Sequence, residues 1–348
     1  MRALVVRPRV ANSAELREMP EPDAREGSVL VQTVAVGVCG TDREIIEGQY
    51  GEAPPGQEYL ILGHESLGRV MEAPAGSGLV EDDLVVGIVR RPDPVPCANC
   101  RVGEWDMCRN GGYTEHGIKG LNGFCAERFR ENPSHIVKLD SALNRVGILM
   151  EPATILAKAW EQIERIGKRS NWEPRRVMVT GAGPIGLMAA MMGRQRQFEV
   201  HVFDRLISGP KLQLVRDLGA EYHSGEVAGC ATAADIIIEC TGFGPLVLDV
   251  MKHNGQQAIV CLTGLSSGQR IIPFAPAELN KHMVLENDVV FGSVNANRRH
   301  YEQAAAALAR ADRSWLERVI ARRVPLQQWK EALEPRPDDV KTVIELAP

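Results

Sequence analysis

The sequence predicts an α/β protein in two parts, a β-rich N-terminal domain followed by a doubly wound parallel sheet. Three observations carry this. Short β-branched runs punctuated by Gly and Pro fill residues 1 to about 150. Strand and helix patterns then alternate from Val177 to Phe291. A glycine-rich turn, Gly181-Ala-Gly183-Pro-Ile-Gly186, stands where the first strand of that alternation passes into its helix.

In the first part the strand signals are Leu4-Val5-Val6, Val29-Leu30-Val31, Val34-Ala35-Val36 and Leu84-Val85-Val86. At Glu151-Pro152 the period changes. Ile155, Leu156, Ala159, Trp160, Ile163 and Ile166 recur at helical spacing, and Pro152 suits a first helical turn. The second part reads as strand Val177–Thr180, helix Ile185 to Gln195, strand Val200–Phe203 and helix Lys211 to Leu218. It continues with strand Asp235–Ile238, helix Leu246–His253, strand Ala258–Leu262 and strand Val289–Phe291. Such alternation implies right-handed crossovers and a parallel sheet. From Arg299 the tail is helical, with Pro325 as a breaker, and Val343-Ile344-Glu345-Leu346 is a closing strand able to return to the first domain. Repeats and low-complexity tracts are absent.

Composition narrows the classes. The 348 residues, at about 150 per domain, suffice for two cores. With 44% hydrophobic and 24% charged residues and a net charge of −5, the chain reads as neither disordered nor a basic nucleic-acid binder. The longest uncharged stretch, Val177 to Gly193, is broken by Gly and Pro and is shorter than the roughly 20 apolar residues of a membrane span. In MRALVVRPRV a second Arg follows only four apolar residues, which does not make a secretory signal, so the expected location is cytoplasmic.

The glycine turn has the context that gives it meaning. Its first glycine turns the chain, its second lets backbone approach a pyrophosphate, and its third lets the helix, whose N-terminus faces the phosphates, pack closely. Asp204 follows the next strand, eighteen residues past Gly186, where a carboxylate accepts the ribose hydroxyls of NAD. Asp204 repels a 2′-phosphate while Arg205 could pair with one, so NAD is preferred and NADP stays open.

The eight cysteines fall into two groups. Cys230, Cys240 and Cys261, in apolar surroundings, read as core packing. Cys39, Cys97, Cys100, Cys108 and Cys125 lie among Gly, His, Asp and Glu. Cys39-Gly-Thr41-Asp42 and Gly63-His64-Glu65, read as loops, put a thiolate, an imidazole and carboxylates in the β domain, and Glu151 adds an oxygen donor at the crossing into the second domain. Catalytic zinc takes three such protein ligands and keeps an open position.

In this order C-G-T-D, G-H-E, the glycine turn and the E-P junction resemble the zinc-dependent medium-chain alcohol dehydrogenase family. Cys39-Gly-Thr-Asp-Arg-Glu44, Glu115-x-Gly-Ile, Met150-Glu-Pro152 and Gly292-Ser-Val-Asn295 with the later Arg-His-Tyr301 resemble its microbial glucose dehydrogenase branch. The resemblance spans nearly the whole chain. It implies a GroES-like β-barrel catalytic domain over 1–155, completed by 298–348, and a Rossmann domain over 156–297. It implies zinc on Cys39, His64 and Glu65 with Glu151 as direct or water-bridged fourth partner, Thr41 as first step of a proton relay, and Asp42 orienting His64. Glu115, Glu151 and Asn295 are the expected sugar contacts. Gly181, Gly183, Pro184, Ile185, Gly186, Asp204, Arg205, Thr241, Thr263 and Asn295 are the expected cofactor contacts.

The activity so implied is NAD(P)-linked oxidation of an aldose, glucose first, at C1 to its lactone. The alternatives are a related polyol or secondary-alcohol dehydrogenase in a biosynthetic pathway, and a nucleotide-binding protein without zinc catalysis. A homo-oligomer, dimer or tetramer, is expected by resemblance. Cys97-x-x-Cys100-x7-Cys108 resembles the family's structural-zinc lobe, but Pro94 occupies the place of its first cysteine. Either Asp93 or another group completes that set, or the lobe carries no metal. Cys125 is the nearest spare sulfur, in a context that reads as the start of a strand, and His116 and His135 read as surface histidines without a role.

Overall fold

The computed structural model describes residues 1–231, 233–266 and 271–347, and the chain forms two compact units. The first comprises Met1–Glu151 with Asn295–Pro348, and the second Pro152–Val294.

The spine of the first unit is the strand Val29–Val38, on which Val29, Val31, Ala35 and Val36 are buried. The two runs read as separate strands are one ten-residue strand. Register shifts against Glu65–Glu72, one of them between Thr33 and Ala35, let it bend without ending. Its sheet runs Ile136–Lys138, Leu84–Gly87, Glu65–Glu72, Val29–Val38, Lys341–Glu345, Ile320–Pro325, with Arg128–Glu131 also paired to Val29–Val38. The closing strand does return: Thr342 pairs with Val38 and Ile344 with Val36. Pro325 ends a strand and does not break a helix, as a proline without an N–H can at a strand terminus. Leu4, Val31, Val70, Val85, Phe124, Phe129 and Ile344 share one core.

The second unit is a six-stranded parallel sheet ordered Glu221–His223, Glu199–Phe203, Arg176–Thr180, Ile236–Glu239, Ile259–Leu262, Val289–Gly292. The chain starts centrally at Arg176–Thr180, winds outward to Glu221–His223, then returns to the other side. The strand order therefore reverses beside Arg176–Thr180, where doubly wound sheets open a ligand crevice at their carboxyl ends. The strand Glu221–His223 and the helix Pro276–Glu286 have no clear sequence signal. The first is a three-residue edge strand opening on an exposed Glu, and of the second only Leu279 is buried. Among the described residues no helix is long and apolar enough to cross a membrane.

Candidate active site

The glycine turn caps the strand Arg176–Thr180, and its helix, Pro184–Gln195, starts from Gly183 with Pro184 and Ile185 in the first turn. A Cβ on Gly186 would lie 1.7 Å from the Gly181 carbonyl oxygen, so only glycine lets helix and turn pack. Gly186→Ala is expected to dislodge the turn and abolish dinucleotide binding, read by titration of nicotinamide fluorescence; unchanged binding would contradict this.

Asp204 follows the strand Glu199–Phe203 and holds the turn in shape. Its Oδ2 accepts from the Ala182 N–H at 2.7 Å and its Oδ1 from the Leu206 N–H at 3.1 Å. Gly181, Asp204, Arg205 and Thr241 line a cavity of about 830 Å³ with Lys211 and Phe243. Of these, Thr241 is held by Glu239, fully buried at the end of the strand Ile236–Glu239. Its carboxylate accepts from Thr180 Oγ1 at 3.1 Å, from the Thr241 N–H at 2.8 Å and hydroxyl, and from the Gly242 N–H at 3.1 Å. Thr263 Oγ1 donates to the Glu239 carbonyl at 2.8 Å. Thr241 and Thr263 are thus both gathered on Glu239, a residue that motif reading passes over because a carboxylate ending an apolar strand has no motif.

In the first unit, Cys39 is the N-cap of the helix Gly40–Ile46, so Thr41 and Asp42 lie on a helix and not on a loop, and Glu65 opens a strand. The helix escapes notice because Gly40, Thr41 and two isoleucines in seven residues are weak helix formers. Asp42 is buried; its Oδ2 accepts from the Cys39 N–H at 2.8 Å, and its Oδ1 sits 3.4 Å from His64 Nδ1. One ligand atom each from Cys39, His64 and Glu65 converge to within 4.8 Å of one another. Thr41 Oγ1 lies 3.9 Å from Cys39 Sγ.

Two unforeseen residues complete this cluster. A Cβ on Gly37 would stand 2.1 Å from Glu65 Oε2, so this glycine makes room for the carboxylate. Lys341, 1% exposed, pairs with Glu65 Oε2 and donates to the Val38 carbonyl at 3.0 Å. Burial disfavours the Lys341 ammonium, but Glu65 and Cys39 outweigh it and hold its pKa above the ordinary value. Burial likewise depresses the His64 imidazole, yet Asp42 and Cys39 keep it well above its usual range. Glu151, in the first turn of the helix Met150–Gly167, is pushed up to about 7 by burial and by the charge of Glu65. A thiolate, an imidazole backed by a carboxylate, and a second carboxylate are the donor set of catalytic zinc, and the residues fit that ion.

Glu115 and Asn295 also meet. Glu115, 5% exposed on the strand Thr114–His116, receives on Oε1 the Arg90 Nε–H at 3.1 Å, its Nη2–H at 3.0 Å, and the Asn295 amide at 2.5 Å. Arg90 also stacks 3.7 Å over the Tyr113 ring. Arg90 has no signature in the sequence, since it is one of two consecutive arginines in a short strand.

His116 is not a surface residue. It stacks on Phe124 at 4.5 Å, and its Nε2 lies 2.9 Å from Arg91 Nη2 and 3.1 Å from Glu131 Oε2; burial and then Arg91 hold it well below its usual pKa. His135 is half-buried against Trp105, and its pKa falls to about 4, by burial first and Arg91 second.

Cys97, Cys100 and Cys108 converge to within 4.8 Å. Asp93 is not among the side chains gathered with them, and its Oδ1 accepts from the Val95 N–H at 2.8 Å; Cys125 is 1% exposed within the core, ahead of the strand Arg128–Glu131 and not on it. Among the described residues no fourth side chain completes the set. The N–H of Arg109, then Cys100, pull the Cys97 thiol down to about 6. Cys261 is buried, Cys230 and Cys240 partly so.

Comparison with known proteins places this architecture. Residues 25–141 match the alcohol dehydrogenase GroES-like domain and residues 144–346 the glucose dehydrogenase C-terminus. The chain is 38% identical to a glucose 1-dehydrogenase of Methanocella arvoryzae over 357 residues, and 38% to one of Thermoproteus tenax over 352, with 99% of both chains covered in each case. The Haloferax mediterranei glucose dehydrogenase, solved in complex with NADP, Zn and gluconolactone, superposes with a TM-score of 0.92 at 29% identity over 100% of both chains. Fold, full-length similarity and both domain matches agree: the chain belongs to the zinc-dependent medium-chain alcohol dehydrogenase family, in its glucose 1-dehydrogenase branch.

Proposed function

We propose that this chain oxidises C1 of an aldose, glucose foremost, to the lactone, releasing the hydroxyl proton and passing hydride to a nicotinamide cofactor. The observation that carries the reading is the convergence of Cys39, His64 and Glu65 within 4.8 Å, in a chain of this family. In this reading residues 1–155 with 298–348 do the chemistry and 156–297 bind the cofactor.

Cys39, His64 and Glu65 hold the zinc, and Glu151 takes a further place directly, through a water, or on the sugar. When bound, zinc supplies a Lewis acid that lowers the pKa of an alcohol hydroxyl. The chain's own groups do the rest. Asp42 fixes the tautomer that leaves His64 Nε2 free to ligate. Thr41 Oγ1 accepts the substrate proton and relays it onward. Arg90 and Asn295 saturate one oxygen of Glu115, leaving the other to accept from a sugar hydroxyl. Buried polar groups that need such a partner reject substrates lacking it.

Asp204 favours NAD through the ribose hydroxyls, while Arg205 and Lys211 on the same cavity keep NADP usable. Asp204→Ala is expected to weaken NAD about 10- to 100-fold, from hydrogen bonds to a charged group worth about 1.5–3 kcal/mol. NADP is weakened less; an equal loss for both would mean that Asp204 acts only through the backbone N–H groups of Ala182 and Leu206. The Cys97, Cys100 and Cys108 lobe binds zinc only if a water or an exogenous group completes it. The eight free thiols suit a reducing cytoplasm. The half-exposed edge strand Val289–Gly292, beside exposed Val284 and Leu285, suits pairing of subunits in a dimer or tetramer, which light scattering would measure.

The deciding experiment is reduction of NAD and NADP across aldoses, polyols and simple alcohols, with and without a zinc chelator. Chelator-sensitive turnover of glucose is expected. Turnover only of a polyol or secondary alcohol would replace the substrate and keep the chemistry; chelator-resistant turnover would overturn the zinc role.

A further inference from the structure

The outer edge of the second unit's sheet carries a group of side chains that the dehydrogenase reaction does not use. Glu199 and His201 alternate on one strand, Glu221 and His223 on the edge strand beside it, and residues two apart on a strand project to the same face. The structure brings them together. His201 Nδ1 lies 2.8 Å from His223 Nε2, with the rings stacked at 5.0 Å. Glu221 reaches both, Oε2 at 3.5 Å from His201 Nδ1 and Oε1 at 3.7 Å from His223 Nε2.

An independent contact sets the polarity of this group. His201 Nε2 sits 2.8 Å from Glu199 Oε1, which Arg176 Nη2 also holds at 3.0 Å. A carboxylate accepts and does not donate, so His201 carries its proton on Nε2 and presents the Nδ1 lone pair to His223 and Glu221. Two ring nitrogens 2.8 Å apart share one hydrogen, so in the metal-free protein His223 Nε2–H donates to the His201 Nδ1 lone pair, and a metal ion would take that hydrogen's place as His223 shifts its proton to Nδ1. Metal-bound histidines characteristically give their other N–H to a carboxylate, the part Glu199 already plays.

We propose that His201 Nδ1, His223 Nε2 and the Glu221 carboxylate form a second metal site, for a divalent ion of the zinc class, lying wholly within the nucleotide-binding unit. Opening the nitrogen pair from 2.8 Å to the roughly 3.4 Å of a tetrahedral ion takes a small ring movement. Glu221, 65% exposed, leaves the site open to solvent and to water as a fourth ligand. The ion would tie the edge strand Glu221–His223 to its neighbour. It uses no sulfur, which separates it chemically from both cysteine-containing clusters.

The test is equilibrium dialysis of the holoenzyme against a series of buffered free Zn²⁺ concentrations, with zinc counted per chain, for wild type, His223→Gln and Glu199→Gln. His223→Gln is expected to bind one equivalent less than wild type while keeping its dehydrogenase turnover. Glu199→Gln, altering a group that touches no metal, is expected to keep the equivalent at about 10- to 100-fold weaker affinity. Co²⁺ filling that last equivalent should add no thiolate charge-transfer band. Equal zinc binding by all three proteins, or a thiolate band on the equivalent that His223→Gln loses, would overturn the site. Should His223→Gln not fold, the Glu199→Gln affinity decides by itself.

Discussion

Cys39→Ser is expected to lose its catalytic zinc and to turn over glucose more than about 100-fold more slowly than wild type. That exceeds the 10- to 100-fold typical of losing an outer partner, which is the effect expected for Asp42→Asn. A serine hydroxyl at this position does not ionise and is a poor zinc donor, so the set falls from three protein ligands to two. The fold should survive, for two reasons. Cys39 is only partly buried, and it occupies the N-cap of the helix Gly40–Ile46, a position where serine is among the preferred residues. The checks are zinc per chain, turnover and thermal unfolding on the same preparation. Wild-type turnover with zinc absent would sink the mechanism, and loss of folding would show that Cys39 is chiefly structural.

The second large effect is expected at Lys341. Replacing it by Met keeps most of the side-chain volume and removes the charge that faces Glu65 in a site where both side chains are about 1–2% exposed. Removing one partner of a buried ion pair costs about 3–5 kcal/mol, because the other charge stays desolvated without compensation. The full loss should appear in metal-free protein. With zinc bound the ion supplies the missing positive charge and the loss should shrink, so a chelator should separate variant from wild type far more than zinc does. Denaturant unfolding in both conditions measures this. A loss below about 1 kcal/mol in metal-free protein would mean that Lys341 is not the counter-charge of Glu65.

These residues divide what was readable from what was not. Cys39, Asp42, His64 and Glu65 stood out because each pair is nearly contiguous and its spacing carries the chemistry. The glycine turn was readable for the same reason, as was every strand of the nucleotide-binding unit with a continuous apolar run. Glu221–His223 was not, since an edge strand of three residues needs no apolar pattern. The helix after Cys39 was hidden by poor helix formers, and the fusion of Val29–Val31 with Val34–Val36 by a bulge that only the partner strand defines. His116 was misjudged because its burial depends on Phe124, Arg91 and Glu131, which reach it from separate strands.

By itself the sequence determined the two-domain α/β class, the dinucleotide turn with its acidic partner, and the cysteine, histidine and glutamate that the fold gathers in the first unit, all properties of local spacing and periodicity. Tertiary structure alone decided how those groups are held: Lys341 and Gly37 around Glu65, Arg90 on Glu115, Glu239 beneath the threonines, and a histidine pair on the sheet edge. The physical reason is that a buried charge must find its counter-charge or donor wherever the fold delivers one. That partner arrives from a strand distant in the chain, where no local pattern marks it.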